Sequence, residues 1–315
     1  MSPIFRYIIM CCALVGGALL LSVPLKSPRS LTHEASSYAT LLNTVDPLSL
    51  KGSETSLPPP VLTAEAAVIY NPLQNEFLFQ KNAQKRFGIA SITKIMTALV
   101  ALERIGENEL IKISASAIET EGNEGILLDG EEFTLHNLII LMLTASSNDA
   151  AVAIAEHVGL LYGASSFEES QKIFVSFMNE TAKNTGLENT HFENPTGLDI
   201  DEEAGIISNI STAQETAQLI GYALRYPLIY SMNKTPSVIL SEEGTSHTLS
   251  STHILLMNEP GVISGKTGFT DTAGGTLATV TEIPVGKLSV VVVLGSTRDN
   301  RFDDTLRLLD WLRIR

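Results

Sequence analysis

Apolar residues follow the periods of strands and helices from about Ala64 to the C-terminus. The segments "EAAVIY" and "EFLFQ", which lie on either side of "NPLQN", predict a strand, a turn and a second strand. Near the other end of the chain, "GTLATVTEI" and "KLSVVVVLGS" are rich in β-branched residues and predict two more strands joined by a turn at Pro284–Gly286. Strands at both ends of this region predict one antiparallel sheet assembled from both ends.

Between these strands the apolar residues recur at helical spacing. Ile92, Ile95, Met96, Leu99 and Leu102 share one helix face. Further helices are predicted from "LHNLIILML", "NDAAVAIAEHVG", "SQKIFVSFMNETAKNTG", "STAQETAQLIGYALRY" and the C-terminal "DNRFDDTLRLLDWLRIR". The predicted fold class is therefore α+β: an antiparallel sheet flanked by helices, with a helical subdomain inserted between its first and last strands.

Residues 1–60 have a different pattern. One basic residue, Arg6, precedes a mostly apolar run from Tyr7 to Leu25, which is long enough to cross a bilayer as a helix. No small-x-small cleavage site follows closely, so we predict an uncleaved membrane anchor over residues 1–25; a removed secretory signal and a buried core helix are the alternatives. Residues 26–60 are rich in Ser, Thr, Pro and Leu and predict a flexible linker, which leaves residues 61–315 as the globular domain.

Composition narrows the classes of function. The formal net charge of −14 argues against a nucleic-acid surface and against broad binding to anionic lipid. Both cysteines, Cys11 and Cys12, lie in the N-terminal apolar run, so the globular domain has no disulfide and no thiolate metal site. The six histidines show no ligand spacing, and we predict no metal and no cofactor. The six carboxylates between Glu119 and Glu132 are interpreted as a solvated face.

A serine and a lysine three positions apart stand where the first helical pattern begins. Ser91 and Lys94 would share one helix face, at the end where unpaired N–H groups and the dipole favour negative charge. The pair could be a helix cap with a solvated charge, or a nucleophile with its base. The second interpretation requires a neutral lysine, through desolvation or a nearby cation. The same spacing at Ser231–Lys234 precedes Thr-Pro and is interpreted as a surface turn.

Two further motifs favour the catalytic interpretation. The residues "SSN" at 146–148 occupy a connection between two predicted helices, and "KTG" at 266–268 ends a predicted strand. The motifs S-x-x-K, S-x-N and K-T-G therefore come in this order, with gaps of about fifty and about 120 residues. Penicillin-binding proteins and class A β-lactamases share this set.

On these residues the chain resembles the serine-type D-alanyl-D-alanine carboxypeptidases, the low-molecular-mass penicillin-binding proteins. The likeness extends from about Ala64 to Leu312 and includes "ASITKIMTALVALE", "SSNDAAVAIAEHVG", "FVSFMNETAKNTGLENTHFENPTGLD", "ISTAQETAQLI" and "KTGFTDTAGGTLA". The resemblance implies a β-lactamase/transpeptidase-like fold and removal of the last D-alanine from peptidoglycan stem peptides ending in D-Ala-D-Ala. It also implies inhibition by β-lactams, and an active site outside the cytoplasm with the N-terminal helix in the membrane.

The resemblance assigns catalytic roles by motif position. Ser91 is expected to be the nucleophile that forms an acyl-enzyme, and Lys94 the base that takes its proton. Ser146 is expected to relay a proton toward the leaving amine, supported by Lys266. Asn148 is expected to hydrogen-bond the substrate's amide and to pack against Lys94.

Substrate binding is assigned by the same resemblance to the K-T-G segment and the residue after it. Lys266 would keep the base neutral and attract a terminal carboxylate, which Thr267 would bind. The backbone N–H groups of Ser91 and Phe269 would form the oxyanion hole. The strand that carries Lys266 and Gly268 would align an extended peptide by adding it to the sheet.

Other functions stay open at this point. A class A-like β-lactamase shares the three motifs, and Glu180–Asn184 has the Glu-x-x-x-Asn spacing of a deacylating glutamate, although Glu180 is interpreted as a solvated helix residue. A non-catalytic wall-binding module on a membrane stalk would keep the fold without the chemistry. Transpeptidation, with an amine in place of water, is compatible with the same motifs.

Overall fold

Strands from both ends of the globular region form one sheet, as the apolar pattern predicts. The computed structural model describes residues 58–119, 127–200, 204–230 and 237–315. The predicted anchor over 1–25, most of the predicted linker over 26–60 and the Ser231–Lys234 turn lie outside the described residues. Within the described ranges, no helix has both the length and the apolar character that crossing a membrane requires.

Strands predominate at both ends of the described parts of the chain, and helices predominate between them. The strands are β1 (Ala66–Asn71), β2 (Glu76–Lys81), β3 (Arg86–Gly88), β4 (Leu110–Lys112), β5 (Glu132–Thr134), β6 (Ile210–Thr212), β7 (Ser237–Leu240), β8 (Ser246–Leu249), β9 (Val262–Thr270), β10 (Gly274–Glu282) and β11 (Leu288–Ser296). The helices are α1 (Lys94–Arg104), α2 (Ala115–Ile118), α3 (Leu135–Thr144), α4 (Asn148–Leu161), α5 (Phe167–Asn184), α6 (Ala213–Ala223), α7 (Leu255–Asn258) and α8 (Asn300–Ile314). Two 3₁₀ turns, Ala90–Thr93 and Pro227–Tyr230, precede α1 and follow α6.

The main sheet has five antiparallel strands in the order β2-β1-β11-β10-β9. Val292 of the central strand β11 pairs with Val68 of β1 on one side and with Ala278 of β10 on the other. Helices α6 and α8 pack against β11, which is buried along nearly all of its length. A strand covered on both faces needs a continuous apolar run rather than an alternating one, which explains the segment "SVVVVL". Strand β9 lies at one edge of the sheet.

Helices fill the chain between β2 and β9, so the predicted α+β fold with a helical insertion is confirmed. Three small two-stranded sheets, β3–β6, β4–β5 and β7–β8, join these helices. The hydroxyls of Thr134, Ser147, Ser166 and Thr212 accept backbone hydrogen bonds in the first turns of α3, α4, α5 and α6. Such caps satisfy N–H groups that a helix leaves unpaired at its start.

Helix α1 is surrounded by other helices. Its residues from Lys94 to Ala101 are buried on every side, because α3, α4, α5 and α6 pack around it. A helix that is enclosed in this way is an interior element rather than an amphipathic surface helix. The residues at its first turn are therefore held by packing from several directions.

One carboxylate of the predicted solvated acidic face is buried. Glu131 is 6% exposed, with its Oε1 2.9 Å from His247 Nε2 and its Oε2 accepting a hydrogen bond from the Leu128 N–H at 2.8 Å. The interpretation of these carboxylates as a solvated face is therefore wrong for Glu131. Its partner His247 is far away in the sequence, so no local pattern reveals the contact. Glu121 and Glu124 of the same stretch lie outside the described residues.

Candidate active site

Three separate segments meet at the first turn of α1. Ser91 lies in the 3₁₀ turn Ala90–Thr93, which leads directly into the helix. Asn148 is the first residue of α4, and Lys266 lies in the middle of the edge strand β9. Hydrogen bonds and close approaches connect these segments, so motifs that are far apart in the sequence are adjacent in the fold.

The Lys94 side chain is at the centre of this arrangement. Its Nζ lies 2.8 Å from Ser91 Oγ, 2.8 Å from Asn148 Oδ1 and 2.7 Å from the Thr196 carbonyl oxygen. Lys94 is fully buried, and this burial lowers the pKa of its amine from 10.5 to about 7. A large fraction of Lys94 is therefore neutral at neutral pH, and a neutral amine can accept the proton of the Ser91 hydroxyl.

A second buried lysine lies beside Ser146. Lys266 Nζ donates hydrogen bonds to Ser146 Oγ at 2.8 Å and to the Thr267 carbonyl oxygen at 2.9 Å. Desolvation, followed by the positive charges of Lys94 and Arg301, lowers the pKa of Lys266 well below 10.5. Burial of Lys94 meets the desolvation condition of the nucleophile-and-base interpretation, and a charge on Lys94 opposes protonation of Lys266.

Ser146 has an unusual backbone conformation. Its φ is +64°, in the left-handed region that non-glycine residues rarely adopt. The residue stands in the short connection between α3 and α4, immediately before the Ser147 cap of α4. Backbone strain of this kind persists only where the surrounding structure imposes it, and it is common at functional sites.

Gly268 allows strand β9 to approach the nucleophile closely. A Cβ at this position would lie 2.8 Å from the Ser91 backbone nitrogen and 2.4 Å from Thr276 Oγ1, so a larger residue would force the strand away. The backbone nitrogen of Ser91 is therefore adjacent to the K-T-G strand. This is the place where the sequence analysis expects the oxyanion hole.

The residues on either side of Gly268 have different surroundings. Thr267 is buried, and its hydroxyl lies 2.6 Å from the hydroxyl of Thr252. Phe269 is partly exposed, and the guanidinium carbon of Arg298 lies 4.1 Å from the centre of its ring. A hydroxyl next to Thr267 and a cation next to Phe269 thus stand near the part of the strand that would align the substrate.

A turn outside the three motifs presents an oxygen to Lys94. Asn194 Oδ1 accepts hydrogen bonds from the N–H groups of Thr196 at 3.1 Å and Gly197 at 2.7 Å. This closes a tight turn whose Thr196 carbonyl points at the Lys94 amine. The segment "NTHFENPTGLD" contributes to the family resemblance, but the sequence analysis assigned no role to its residues.

Gly197 provides a test of how closely this turn supports the nucleophile. Its φ is +89°, and a Cβ there would lie 2.0 Å from the Ala90 carbonyl oxygen; Gly186, with φ of +77°, has nothing within 4 Å of the same position. Both Gly→Ala variants should lose about 1–2 kcal/mol of stability through the left-handed backbone. Only Gly197→Ala should also displace Ser91 and slow penicillin acylation, by about 100-fold.

The measurements are denaturant unfolding and the second-order rate of penicillin acylation for both variants. Gly186→Ala is the matched control, because it carries the same backbone cost in open space. Equal acylation rates in Gly197→Ala and Gly186→Ala would contradict the proposed support of Ser91 by this turn.

The described histidines include one in the core and others near the surface. His253 is fully buried with its Nε2 2.9 Å from Thr279 Oγ1, and burial lowers its pKa to about 3. His157 Nε2 lies 3.3 Å from Glu109 Oε1 near the surface. In the parts of the chain that the structure describes, no group of three His, Cys, Asp or Glu side chains could hold a metal ion.

Comparison with known proteins places the chain in a family. The family model of D-alanyl-D-alanine carboxypeptidase matches residues 53–297. The chain belongs to the D-alanyl-D-alanine carboxypeptidase family. This confirms the resemblance, and it confirms the prediction that the protein is a serine-type enzyme rather than a non-catalytic module.

Individual relatives of the D-alanyl-D-alanine carboxypeptidase family agree with this placement. The carboxypeptidase DacF of Bacillus subtilis is 32% identical over 254 residues, which are 79% of this chain and 61% of DacF. The D-alanyl-D-alanine endopeptidase of Escherichia coli is 28% identical over 263 residues, which are 82% of this chain and 80% of that protein. A variant of a Streptomyces DD-transpeptidase is similar in structure, with a TM-score of 0.74 at 25% identity over 82% of this chain and 100% of the other. The predicted β-lactamase/transpeptidase-like fold is confirmed.

The predicted site residues of this family member all lie around the first turn of α1. Contacts among the three segments bring together the predicted catalytic and substrate-binding residues, which are Ser91, Lys94, Ser146, Asn148, Lys266, Thr267, Gly268 and Phe269. Their individual roles stay a prediction.

Glu180 lies outside this site. Its Oε2 is 3.0 Å from Arg104 Nη2, and its side chain is 56% exposed. Because Arg104 is the last residue of α1 and Lys94 the first, the two ends are separated by roughly 15 Å of helix. The interpretation of Glu180 as a solvated helix residue agrees with this placement, and the lactamase-like Glu-x-x-x-Asn spacing is coincidental.

Arg301 is a candidate functional residue that the sequence analysis missed. It lies in the first turns of α8, is 9% exposed, and its Nη1 donates a hydrogen bond to the Gly268 carbonyl at 2.6 Å. Burial, followed by the charge of Arg298, lowers the pKa of Arg301 to about 10, so it remains charged at neutral pH. The only sequence signal is an arginine on the inward face of the last helix, and no motif marks it.

Proposed function

We propose that this enzyme removes the terminal D-alanine from peptidoglycan stem peptides ending in D-Ala-D-Ala, through an acyl-enzyme on Ser91 that penicillin also forms. The observation that carries the proposal is the buried Lys94 amine, 2.8 Å from Ser91 Oγ, with a pKa lowered to about 7. Family membership supports the substrate class and the reaction. Incubating the protein with a pentapeptide ending in D-Ala-D-Ala should release free D-alanine and a tetrapeptide, which mass spectrometry detects.

Acylation begins with proton transfer to the buried amine. Neutral Lys94 takes the Ser91 Oγ proton while Oγ attacks the carbonyl carbon of the penultimate D-alanine. The backbone N–H groups of Ser91 and Phe269 would hold the tetrahedral oxygen, each worth on the order of 3 kcal/mol. The position of Ser91 just before α1 also places the negative oxygen at the favourable end of the helix dipole.

Ser146 and Lys266 would deliver a proton to the amine of the leaving D-alanine. As the C–N bond breaks, the amine of the last D-alanine receives a proton through Ser146 Oγ, which lies 2.8 Å from Lys266 Nζ. The proton that Ser91 gave to Lys94 would then return to Ser146 Oγ, so Lys94 and Ser146 regain their starting protonation states and the proton of Ser91 is accounted for on the leaving amine. Water then gives a proton to Lys94 and attacks the ester, and Ser91 Oγ leaves with that proton.

The terminal carboxylate of the substrate requires a cationic pocket. Lys266 and Arg301 are buried beside the K-T-G strand, and neither has a carboxylate partner among the ion pairs of the described residues. The Thr267 hydroxyl lies on the same strand and can donate a hydrogen bond. A carboxylate bound here would pair with the Arg301 charge and would favour protonation of Lys266, whose pKa burial lowers.

Arg301→Met should therefore weaken recognition of the free carboxylate. We expect kcat/KM for a D-Ala-D-Ala peptide to fall by about 10- to 100-fold, because a hydrogen bond to a charged group contributes about 1.5–3 kcal/mol. The same peptide with a C-terminal amide should be hydrolysed at an unchanged rate. Arg307→Met, on the same helix but bonded to the Val61 carbonyl, is the matched control. Equal losses for acid and amide would mean that Arg301 acts only through folding.

An endopeptidase is the second candidate, because D-alanyl-D-alanine endopeptidases are among the relatives of this chain. The Escherichia coli protein of that name is 28% identical over 263 residues. An endopeptidase cleaves inside a longer peptide, so its cleft must accept chain beyond the scissile bond. Purified monomeric and cross-linked muropeptides separate the two activities: release of D-alanine alone identifies a carboxypeptidase, and conversion of dimers into monomers identifies an endopeptidase.

We infer that the apolar run from Tyr7 to Leu25 anchors the enzyme, with residues 26–60 as the linker and 61–315 as the catalytic domain outside the cytoplasm. The length of the run and the location of the wall substrate support this arrangement. A reporter that is active only in the cytoplasm, fused after Arg315, should be inactive; activity would contradict the orientation. The mass of the purified protein distinguishes an anchor from a removed signal.

A further inference from the structure

A groove of about 580 Å³ lies at the opposite end of α1 from Ser91. Glu103 and Arg104, at the last turn of α1, line it together with residues of α5 and α6 and residues that follow α4, α5 and α6. None of the residues that line it belongs to the three motifs. The length of α1 separates the groove from Lys94 by roughly 15 Å, so it is distinct from the site described above.

Two tyrosines give the groove rigid aromatic surfaces. Tyr162 is 46% exposed, and its ring packs edge-on against Phe177 with 4.9 Å between ring centres. The Tyr222 ring is supported by Arg225, whose guanidinium carbon lies 4.1 Å from its centre. Rings whose orientation is restricted by neighbouring side chains lose less conformational entropy when a ligand stacks on them.

Planar polar groups of both signs stand between the rings. Arg104 pairs with Glu180 at 3.0 Å, and its guanidinium carbon lies 3.8 Å from the Phe177 ring centre. Glu103 Oε1 accepts hydrogen bonds from the Tyr222 and Tyr226 hydroxyls at 3.5 and 3.3 Å, which leaves lone pairs of its carboxylate available. The groove therefore offers aligned donors and acceptors next to aromatic faces.

These features fit an uncharged sugar chain better than an ionic ligand. Two glutamates and two arginines line the groove, so their charges balance, and the net charge of −14 disfavours a polyanion. A pyranose ring has apolar C–H faces that can lie on an aromatic ring, and equatorial hydroxyls or acetamido groups that pair with carboxylates and guanidiniums. The volume is in the range of ordinary small-molecule sites.

We propose that this groove binds an N-acetylated amino-sugar chain of the peptidoglycan glycan strand. The inference rests on the proposed function, because stem peptides are attached to such strands. A second point of attachment raises the local concentration of stem peptides around the active site without any new contact in the cleft. The groove would hold the enzyme on the wall while Ser91 acts on neighbouring stem peptides.

Titration of the full-length protein in detergent with N-acetylglucosamine tetrasaccharide tests this site. Saturation-transfer NMR and calorimetry should show binding, and the Kd should be the same after penicillin has acylated Ser91. Tyr162→Ala combined with Tyr222→Ala should weaken binding at least tenfold, whereas Tyr162→Phe, which keeps the ring, should not. Leu161→Ala removes a neighbouring side chain that is 56% exposed but does not line the groove, and it should bind as the wild type does.

Three results would overturn the glycan site: no binding at millimolar tetrasaccharide, binding that acylation abolishes, or binding that the double tyrosine variant retains. Penicillin labelling of the same samples reports separately on the proposed function. Acylation without sugar binding rejects only the groove proposal, and sugar binding without acylation rejects only the catalytic one.

Discussion

Replacing Ser91 with alanine should abolish covalent labelling by fluorescent penicillin and reduce D-alanine release by about 10⁶-fold. The acyl-enzyme cannot form without the Ser91 hydroxyl, which lies 2.8 Å from the Lys94 amine and is the proposed nucleophile. The variant should fold normally, since the change removes one partly buried hydroxyl. Intact-protein mass spectrometry with penicillin measures the adduct directly.

The other serine with a lysine three positions later supplies the control. Ser231→Ala removes the hydroxyl of Ser231–Lys234, and it should be labelled as the wild type is. Peptide mapping of the wild-type adduct should locate penicillin on the peptide that contains Ser91. An adduct on any other peptide, or full labelling of Ser91→Ala, would contradict the assignment of the nucleophile.

Replacing Lys94 with methionine should slow acylation by about 10²–10⁴-fold, the usual contribution of a general base. Because the pKa of Lys94 is about 7, the wild-type acylation rate should rise as pH increases from 5 to 8 and then level off. Lys94→Met should lose this dependence. Lys85→Met, at a side chain that is 61% exposed, should keep both the rate and the pH profile of the wild type.

Lys94→Met should slow acylation, but it should increase the stability of the folded protein at neutral pH. The folded protein holds the Lys94 pKa near 7, whereas the unfolded chain has about 10.5, so between these values the unfolded state binds more protons and stability rises with pH. Lys94→Met should therefore be more stable than the wild type at pH 7, by an amount that shrinks as pH approaches 10. A less stable Lys94→Met at pH 7 would mean that its three hydrogen bonds outweigh the cost of burying the charge.

The sequence predicts strands and helices well where the spacing of apolar residues matches the side chains that the fold buries. The segment "SVVVVL" is continuous rather than alternating because β11 is covered on both faces, yet β-branched composition alone predicts a strand there. The three motifs identify the polar residues that meet in the cleft, because their chemistry requires particular side chains at particular positions.

Residues that act through tertiary contacts were not predictable in the same way. Arg301 reaches the Gly268 carbonyl from a helix 33 positions later, and Gly197 supports Ala90 from more than one hundred positions away. Glu131 resembles its acidic neighbours in the sequence, but it is buried against His247. Such contacts depend on which surfaces the fold brings together, and no local pattern encodes them.

The proposed mechanism requires Lys94 to be largely neutral at physiological pH although it lies in hydrogen-bond contact with Ser91. NMR of protein labelled with ¹³C at lysine Cε follows each amine through its titration, and Lys94→Met identifies the Lys94 resonance by its loss. The structure predicts a midpoint near pH 7 for that resonance. A midpoint near the ordinary lysine value of about 10.4 would contradict the proposed mechanism.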